Sequence, residues 1–152
     1  LKLTDVEDTR FLHCNIKTLN LLVNVMAAEK AESMGCGECV FHRGDVVTEC
    51  AHSNVSIIKD GIFKTHPTDH YILPGITRMH IIQICKDNGI PVDETPFTMA
   101  ELMDADEIIV SSSTKFCSPA CEMNGTPIGG KAPELIEILQ REYLKKFENE
   151  TA

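Results

Sequence analysis

The chain has 152 residues, of which 43% are hydrophobic and 24% charged, and its formal net charge is −9. This length and apolar content suit one globular domain. The negative charge, with scattered lysines and arginines, argues against nucleic acid as a partner. The chain shows neither a membrane-spanning apolar stretch nor a leader, so neither membrane insertion nor export is expected.

The seven cysteines are an odd number without regular spacing. A chain with this apolar content does not need disulfides to fold. We therefore expect free thiols and a cytoplasmic protein. The first residue is Leu1 rather than methionine, and we expect the chain to be part of a longer protein.

Short apolar runs separated by turn signals predict alternating strands and helices in the first half of the chain. Residues 10–16 are predicted as a strand and residues 20–34 as a helix that ends at Gly35. Lys17 is thereby placed at a strand-to-helix junction. A meander of four antiparallel strands is predicted next, over residues 38–42, 46–51, 55–59 and 62–65.

The second half begins at Pro74-Gly75-Ile76-Thr77, a sequence typical of a helix start, and this helix is predicted to reach about residue 88. Two strands are predicted around Asn124-Gly125, and a last helix after Pro133 is expected to cover the sheet with its apolar side. The remaining predicted elements are an extended segment over 90–96, a short helix over 98–103 and a strand over 107–111.

Lys17 is the first candidate for chemistry. An amine beside a helix start, where the backbone amides and the helix dipole are positive, is disfavoured as a second positive charge. Such an amine suits attack on an aldehyde and later proton transfer as a general base. Its position alone leaves open that Lys17 is an ordinary solvated lysine.

Glu49 is the second candidate. Alternation along Val46-Val47-Thr48-Glu49-Cys50-Ala51 places it on the same strand face as Val47 and Ala51. The spacing is compatible with an exposed edge carboxylate, or with a buried one that a cation such as a protonated ring nitrogen keeps ionised.

Two segments have the composition of anion-binding sites. Gly75-Ile76-Thr77 opens a helix with unpaired amides and a hydroxyl. Ser111-Ser112-Ser113-Thr114 places four hydroxyls where a strand ends. Each segment on its own also suits a purely structural role, as a helix cap or a loop.

Cys36 and Cys39, with His42 nearby, have a spacing compatible with metal or redox chemistry. The pair follows a helix rather than opening one, which argues against a redox site. A zinc site would need a further ligand such as Cys117 or Cys121, and we expect no metal here.

Three motifs, taken together and in order, resemble the signatures of the D-amino acid aminotransferase family, the class IV pyridoxal-phosphate enzymes of fold type IV. They are residues 10–22, RFLHCNIKTLNLL; residues 46–49, VVTE, followed by Ser53-Asn54-Val55; and residues 72–78, ILPGITR. The resemblance continues through residues 111–114 and 125–131 and covers essentially the whole chain.

The resemblance implies a role for each matching position. Lys17 would be the Schiff-base lysine and proton shuttle, Glu49 would pair with the ring nitrogen, and Leu73 would brace the ring. Phosphate contacts would come from Ile76, Thr77, Ser112 and Ser113, and Arg10 matches an arginine near the cofactor. The family usually has a glycine and small hydroxyl residues after the glutamate, where this chain has Cys50, Ala51 and His52.

The implied fold class is mixed α/β, a pseudo-barrel of largely antiparallel strands with helices outside. Residues 1–152 would form the C-terminal pyridoxal-phosphate domain of a homodimeric enzyme whose small N-terminal domain is absent. The implied reaction transfers the amino group of a D-amino acid such as D-alanine to a 2-oxo acid such as 2-oxoglutarate. The alternatives are a branched-chain L-amino acid aminotransferase, an aminodeoxychorismate lyase and, from another class, a small zinc-binding interaction module.

Overall fold

Two five-stranded sheets, A and B, form the centre of the protein in a computed structural model that describes residues 1–151, with side chains to residue 149. Ala152, the last residue of the predicted domain, lies outside the described residues. The strands are β1 (Lys2–Glu7), β2 (Glu38–Arg43), β3 (Val46–Cys50), β4 (Asn54–Lys59), β5 (Ile62–Thr65), β6 (Val92–Asp93), β7 (Glu107–Ser111), β8 (Ser118–Pro119), β9 (Glu122–Met123) and β10 (Thr126–Pro127). The helices are α1 (Leu22–Ser33), α2 (Ile76–Asp87), α3 (Met99–Asp104) and α4 (Pro133–Thr151).

Sheet A has the strand order β10-β9-β1-β2-β3, and sheet B has the order β6-β5-β4-β7-β8. β1 is parallel to both β2 and β9, and β5 is parallel to β6, whereas the other neighbouring pairs are antiparallel. The segment after β1 passes through α1 before returning as β2, which is the crossover that parallel strands require. The predicted fold class, mixed α/β with largely antiparallel strands and helices outside, is confirmed.

Apolar side chains hold the layers together. The inner faces of the two sheets meet in a core that includes Leu3 and Val47 from sheet A and Ile57 and Val110 from sheet B, all at most 1% exposed. The outer face of sheet A packs against α1, and the outer face of sheet B packs against α2 and α4. Because each sheet is covered on both faces, β2 and β4 bury consecutive residues rather than alternate ones.

The predicted strand over residues 10–16 is wrong. The strand lies earlier, at Lys2–Glu7, and the chain leaves sheet A after Asp8, whose backbone N–H still bonds to His42. The N–H of Arg10 then bonds to the carboxylate of Asp8, and that of Cys14 to the carbonyl of His70. The apolar residues that produced the strand pattern are exposed: Phe11, Leu12 and Ile16.

The other predicted elements are found close to their expected positions, and the last helix covers sheet B as predicted. The four-strand meander, however, is divided between the sheets: β2 and β3 pair in sheet A, whereas β4 and β5 pair in sheet B. The chain crosses between the sheets at Ala51, His52 and Ser53. β8 carries no apolar pattern and is not predicted by the sequence. Within residues 1–151, no helix has the length and apolar character needed to span a membrane.

Candidate active site

A cavity of about 710 Å³ opens where the chain crosses from sheet A to sheet B. Its wall is completed by the segment between β1 and α1, the start of α2 and the loop after β7. Residues far apart in the sequence therefore meet around one space. All of the predicted site residues line it: Arg10, Lys17, Glu49, Leu73, Ile76, Thr77, Ser112 and Ser113.

Lys17 lies in the irregular segment that follows β1, not directly at a helix start. It precedes Leu22, the first residue of α1, by several residues, so the helix-dipole argument does not apply to it. Among the residues that the structure describes, no hydrogen bond or ion pair engages its amine. Lys17 is exposed and borders the cavity, which leaves the amine available to a ligand there.

Glu49 is buried, and its carboxylate is held by three donors. Arg10 Nη1 lies 2.5 Å from Oε1, while the backbone N–H of Leu73 and the amide of Asn54 donate to Oε2 at 3.0 and 3.1 Å. The exposed-edge alternative for Glu49 is therefore wrong. Burial raises the pKa of Glu49 to about 7, against the lowering effect of the charge and hydrogen bond of Arg10 and the N–H of Leu73. A cation brought against this carboxyl would ionise it readily.

The Arg10 side chain is held in place by Asp8 and by the ring of Phe41, as well as by Glu49. Its Nε and Nη2 donate to the two oxygens of Asp8, each at 2.9 Å, and its guanidinium carbon lies 4.4 Å from the ring centroid of Phe41. Burial alone would lower the pKa of Arg10, but Asp8 and Glu49 outweigh it and raise the pKa. Arg10 is thus a permanent cation that touches the cavity through its contact with Glu49.

Asn54 joins Glu49 to the segment before α2. Its amide nitrogen donates to both Glu49 Oε2 and the carbonyl of Leu73, the latter at 2.9 Å. Gly75 follows closely, and a Cβ placed there would lie 2.1 Å from Asn54 Oδ1. Glycine at this position therefore allows the chain to approach Asn54 and begin α2 at the cavity wall.

The start of α2 has the features of an anion site. Gly75 is the N-cap, no side chain caps the helix, and Ile76 and Thr77 border the cavity. The first amides of a helix have no partner within the helix. Ser112 and Ser113, which follow β7, border the same cavity, and Ser112 Oγ also accepts a hydrogen bond from the N–H of Lys115. Amides and hydroxyls from two elements thus face one space.

A sequence model of the amino-transferase class IV family matches residues 2–123. The chain belongs to this family. Its relatives include the D-alanine aminotransferase of Listeria monocytogenes, 47% identical over 93% of this chain, and that of Staphylococcus haemolyticus, 46% identical over 97% of it. These matches cover 49% and 52% of the relatives. The chain therefore spans about half the length of the curated relatives it matches.

Solved structures of aminotransferases share the fold of this class IV aminotransferase chain. The branched-chain amino acid aminotransferase of Escherichia coli superposes with a TM-score of 0.81 at 25% identity, covering 93% of this chain and 49% of that one. A hypothetical aminotransferase from Mycobacterium tuberculosis, solved in its PLP-bound form, gives a TM-score of 0.82 at 21% identity over 91% of this chain and 54% of its own.

The crossing between the sheets places an imidazole at the cavity wall of this class IV aminotransferase chain. His52 borders the cavity and is 56% exposed at its side chain, with Nδ1 3.9 Å from Oε1 of the buried Glu38. Glu38 also accepts hydrogen bonds from Ser53 and Lys115.

The zinc alternative has no structural basis in the described part of the chain. Residues 1–151 contain no group of three or more histidine, cysteine, aspartate or glutamate side chains placed to hold one metal ion. Cys39 is buried at the outer face of sheet A, whereas Cys36 is only partly buried, and both are free thiols.

Sequence reasoning missed three side chains that organise the site: Asp8, Arg43 and Asn54. Asp8 and Arg43 are not among the predicted site residues, and no periodicity in the sequence distinguishes them from charged residues at the surface. Asn54 stands in the quoted Ser53-Asn54-Val55 motif, but the motif assigns it no role. Asn54 follows the polar residues His52 and Ser53, so the local sequence carries no signal that its amide is buried.

Proposed function

We propose that this chain is the cofactor-holding half of a pyridoxal-phosphate-dependent D-amino acid aminotransferase. The observation that carries the proposal is the convergence on one cavity of an available amine, a buried carboxyl and anion-binding groups. These are the groups that an aldehyde, a ring nitrogen and a phosphate would each require. The donor set therefore fits pyridoxal phosphate.

In this proposal each residue has one task. Lys17 would hold the cofactor covalently through its amine and move the proton at the substrate Cα. Glu49, oriented by Arg10, Leu73 and Asn54, would keep the ring nitrogen protonated. When bound, pyridoxal phosphate supplies an electron-accepting ring for the electrons left by that proton.

The phosphate group would lie at the start of α2. The amides of Ile76 and Thr77, the Thr77 hydroxyl and the hydroxyls of Ser112 and Ser113 would hold it. Leu73 would brace the ring from a segment whose N–H and carbonyl are already bonded to Glu49 and Asn54. These residues belong to separate elements whose hydrogen bonds are made within the protein, so the site is oriented in advance.

For substrate, we propose D-amino acids such as D-alanine as amino donors and 2-oxo acids such as 2-oxoglutarate as acceptors. The 45–50% identity to D-alanine aminotransferases supports this choice over a branched-chain L-amino acid enzyme, whose solved structures are 25–27% identical. The resemblance of Ile16-Lys17-Thr18-Leu19-Asn20 to the D-specific branch favours the same choice, also over an aminodeoxychorismate lyase.

The rest of the enzyme is part of the proposal. In the resembled family a small N-terminal domain supplies a phosphate-binding arginine, a tyrosine near the ring hydroxyl and the grip on the substrate carboxylate. We assign residues 1–152 to the C-terminal domain, in a cytoplasmic homodimer. Large apolar side chains exposed near the cavity support contact with other parts of the assembly: Phe11, Leu12, Ile16, Leu19, Leu21, Leu22, Val25 and Met26.

A coupled assay with D-alanine and 2-oxoglutarate tests the proposal, on residues 1–152 and on the full-length protein in parallel. Catalysis requires the cofactor and the substrate to be held together in a reactive arrangement. We therefore expect turnover by the full-length protein, and turnover near that of free cofactor by the chain alone. Full-length protein inactive with D-alanine but active with a branched-chain L-amino acid would refute the D-specific proposal.

A further inference from the structure

Asp8 is the most enclosed charged group beside the candidate active site. Its side chain is 0% exposed, and its backbone N–H bonds to the carbonyl of His42 at 2.7 Å. Its Oδ1 accepts from the N–H and Nε of Arg10, and its Oδ2 from Arg10 Nη2, Thr48 Oγ1 and Arg43 Nε. A carboxylate buried with this many donors is ionised, and Arg10 lowers the pKa of Asp8 despite the opposing effect of burial.

Arg10 is shared between two carboxylates, and the sharing is unequal. Asp8 takes the Nε and Nη2 side in a bidentate contact, which leaves Nη1 for Glu49. Since Asp8 has no other orientation open to it, it fixes the plane of the guanidinium and hence the position of Nη1. Asp8 thus determines how Arg10 meets Glu49 without touching the cavity itself.

The charges around Glu49 come from several elements. Asp8 directly follows β1, and Arg10 lies two residues later in the chain. Arg43, on β2, carries the second positive charge. Cys14 and Cys50 also face the cluster, and burial raises the pKa of both thiols, so they are uncharged at neutral pH. With Asp8 present, the charge of Arg10 is already balanced. Without it, the uncompensated guanidinium would oppose any cation held by Glu49.

We propose that Asp8 is a positioning residue for the ring-nitrogen contact of the cofactor: it fixes Arg10 and offsets its charge, so that Glu49 can keep the ring nitrogen protonated. The inference rests on the proposed function. In this proposal Asp8, which lies outside the cavity, affects the protonation of the ring nitrogen of a cofactor bound inside it.

The test is the ¹⁵N chemical shift of the cofactor's ring nitrogen against pH, in full-length protein loaded with ¹⁵N-labelled pyridoxal phosphate. Replacing Asp8 by asparagine removes its charge, and we expect the titration midpoint to fall by roughly one pH unit or more. Thr48→Val is the matched control, because it removes one hydrogen bond to Asp8 and no charge. Its midpoint should equal that of the unaltered protein, and the midpoint of Asp8→Glu, which retains the charge, should stay close to that value.

Arg43→Gln should move the titration midpoint of the ring nitrogen in the opposite direction. It removes a positive charge that contacts Asp8, so the midpoint should rise, whereas a merely structural role for these residues predicts no shift of either sign. Midpoints unchanged in Asp8→Asn and Arg43→Gln, or moved in the same direction, overturn the proposal. If Asp8→Asn does not fold, Arg43→Gln decides: a rise supports the proposal and an unchanged midpoint overturns it.

Borohydride labelling of the unaltered protein tests the proposed function separately from the role of Asp8. A cofactor that is not attached to Lys17 would refute the proposed function. A cofactor attached to Lys17, with a ring-nitrogen midpoint that ignores Asp8 and Arg43, would refute the inference about Asp8 alone.

Discussion

Arg10 and Glu49 form a buried ion pair, with 2.5 Å between Nη1 and Oε1, and both side chains are only 7% exposed. The carboxylate is therefore oriented from within the protein, before any ligand arrives. Because Arg10, Leu73 and Asn54 already hold its oxygens, the carboxyl group can meet a bound cation without the cost of reorganisation. This arrangement gives Glu49 a place in the proposed chemistry and makes its replacement the first variant to study.

Replacing Glu49 by glutamine keeps the size of the side chain and removes its charge. We expect full-length Glu49→Gln to bind pyridoxal phosphate yet transaminate about 10²–10³-fold more slowly, the loss typical of one electrostatic group. Steady-state kinetics with D-alanine, together with the absorbance of the bound cofactor, measure both effects. Glu49→Asp, which retains the charge, should lose less, and an unaltered rate in Glu49→Gln would make the residue purely structural.

The stability of the cofactor-free protein should depend on pH through Glu49. Its folded pKa of about 7 is above its ordinary value of 4.5 because the group is buried. A group with a raised folded pKa contributes stability that is complete below about pH 4.5 and is lost as the pH rises through about 7. Urea unfolding between about pH 4 and about pH 8 should show this loss, and Glu49→Gln should lack it. Equal pH profiles for the two proteins would contradict the raised pKa.

Gly75→Ala tests the close approach between α2 and Asn54. The added Cβ would lie 2.1 Å from Asn54 Oδ1, and the Asn54 amide is pinned by its bonds to Glu49 and Leu73. We expect a loss of about 1–3 kcal/mol in the free energy of unfolding, with weaker cofactor binding.

Gly37→Ala is the matched control for that variant. A Cβ at Gly37 would approach Cδ1 of the Leu1 side chain, whose flexible end is able to move aside. Thermal denaturation and cofactor titration should therefore change much more in Gly75→Ala than in Gly37→Ala. Similar losses in both would mean that the Asn54 contact is not a constraint.

Thiol reactivity tests which of the seven cysteines are buried. Burial raises the pKa of Cys39 to about 11 and those of Cys85 and Cys117 to about 12, so these thiols are protonated and unreactive at neutral pH. In the native protein, we expect a thiol reagent to modify Cys36 and Cys121 first, and the buried cysteines only after unfolding. Peptide mapping after brief alkylation would identify the sites, and early modification of Cys85 or Cys117 would contradict their burial in the core between sheet B and the helices α2 and α4.

The sequence predicted the helices and most strands because their signals are local. The Pro74-Gly75-Ile76-Thr77 start of α2 and the Asp60-Gly61 turn, where both residues have positive φ, are set by the conformational preferences of proline and glycine. The strand predicted over 10–16 was wrong because apolar alternation does not distinguish a strand from an exposed segment. β1 was missed because Leu3 and Val6 are its only apolar residues, without regular alternation.

The candidate site was predicted as a set of residues, but its internal contacts were not. The motifs predicted Lys17 and Glu49, whereas the pairing of Glu49 with Arg10 depends on the path of the chain after β1. Asp8 could not be found from local spacing because its partners, Thr48 and Arg43, lie on other strands. Long-range polar contacts follow from tertiary structure, which a single sequence does not specify residue by residue.

The lysine that carries the cofactor is the feature on which the proposed function depends most. Full-length protein incubated with pyridoxal phosphate, reduced with borohydride and digested, should yield a single phosphopyridoxyl peptide containing Lys17. The Lys17→Ala variant should yield none at this peptide, and Lys30→Ala, which removes a lysine that bonds to Asp5 away from the cavity, should label normally. Label on another lysine, or none in the unaltered protein, would show that Lys17 does not hold the cofactor.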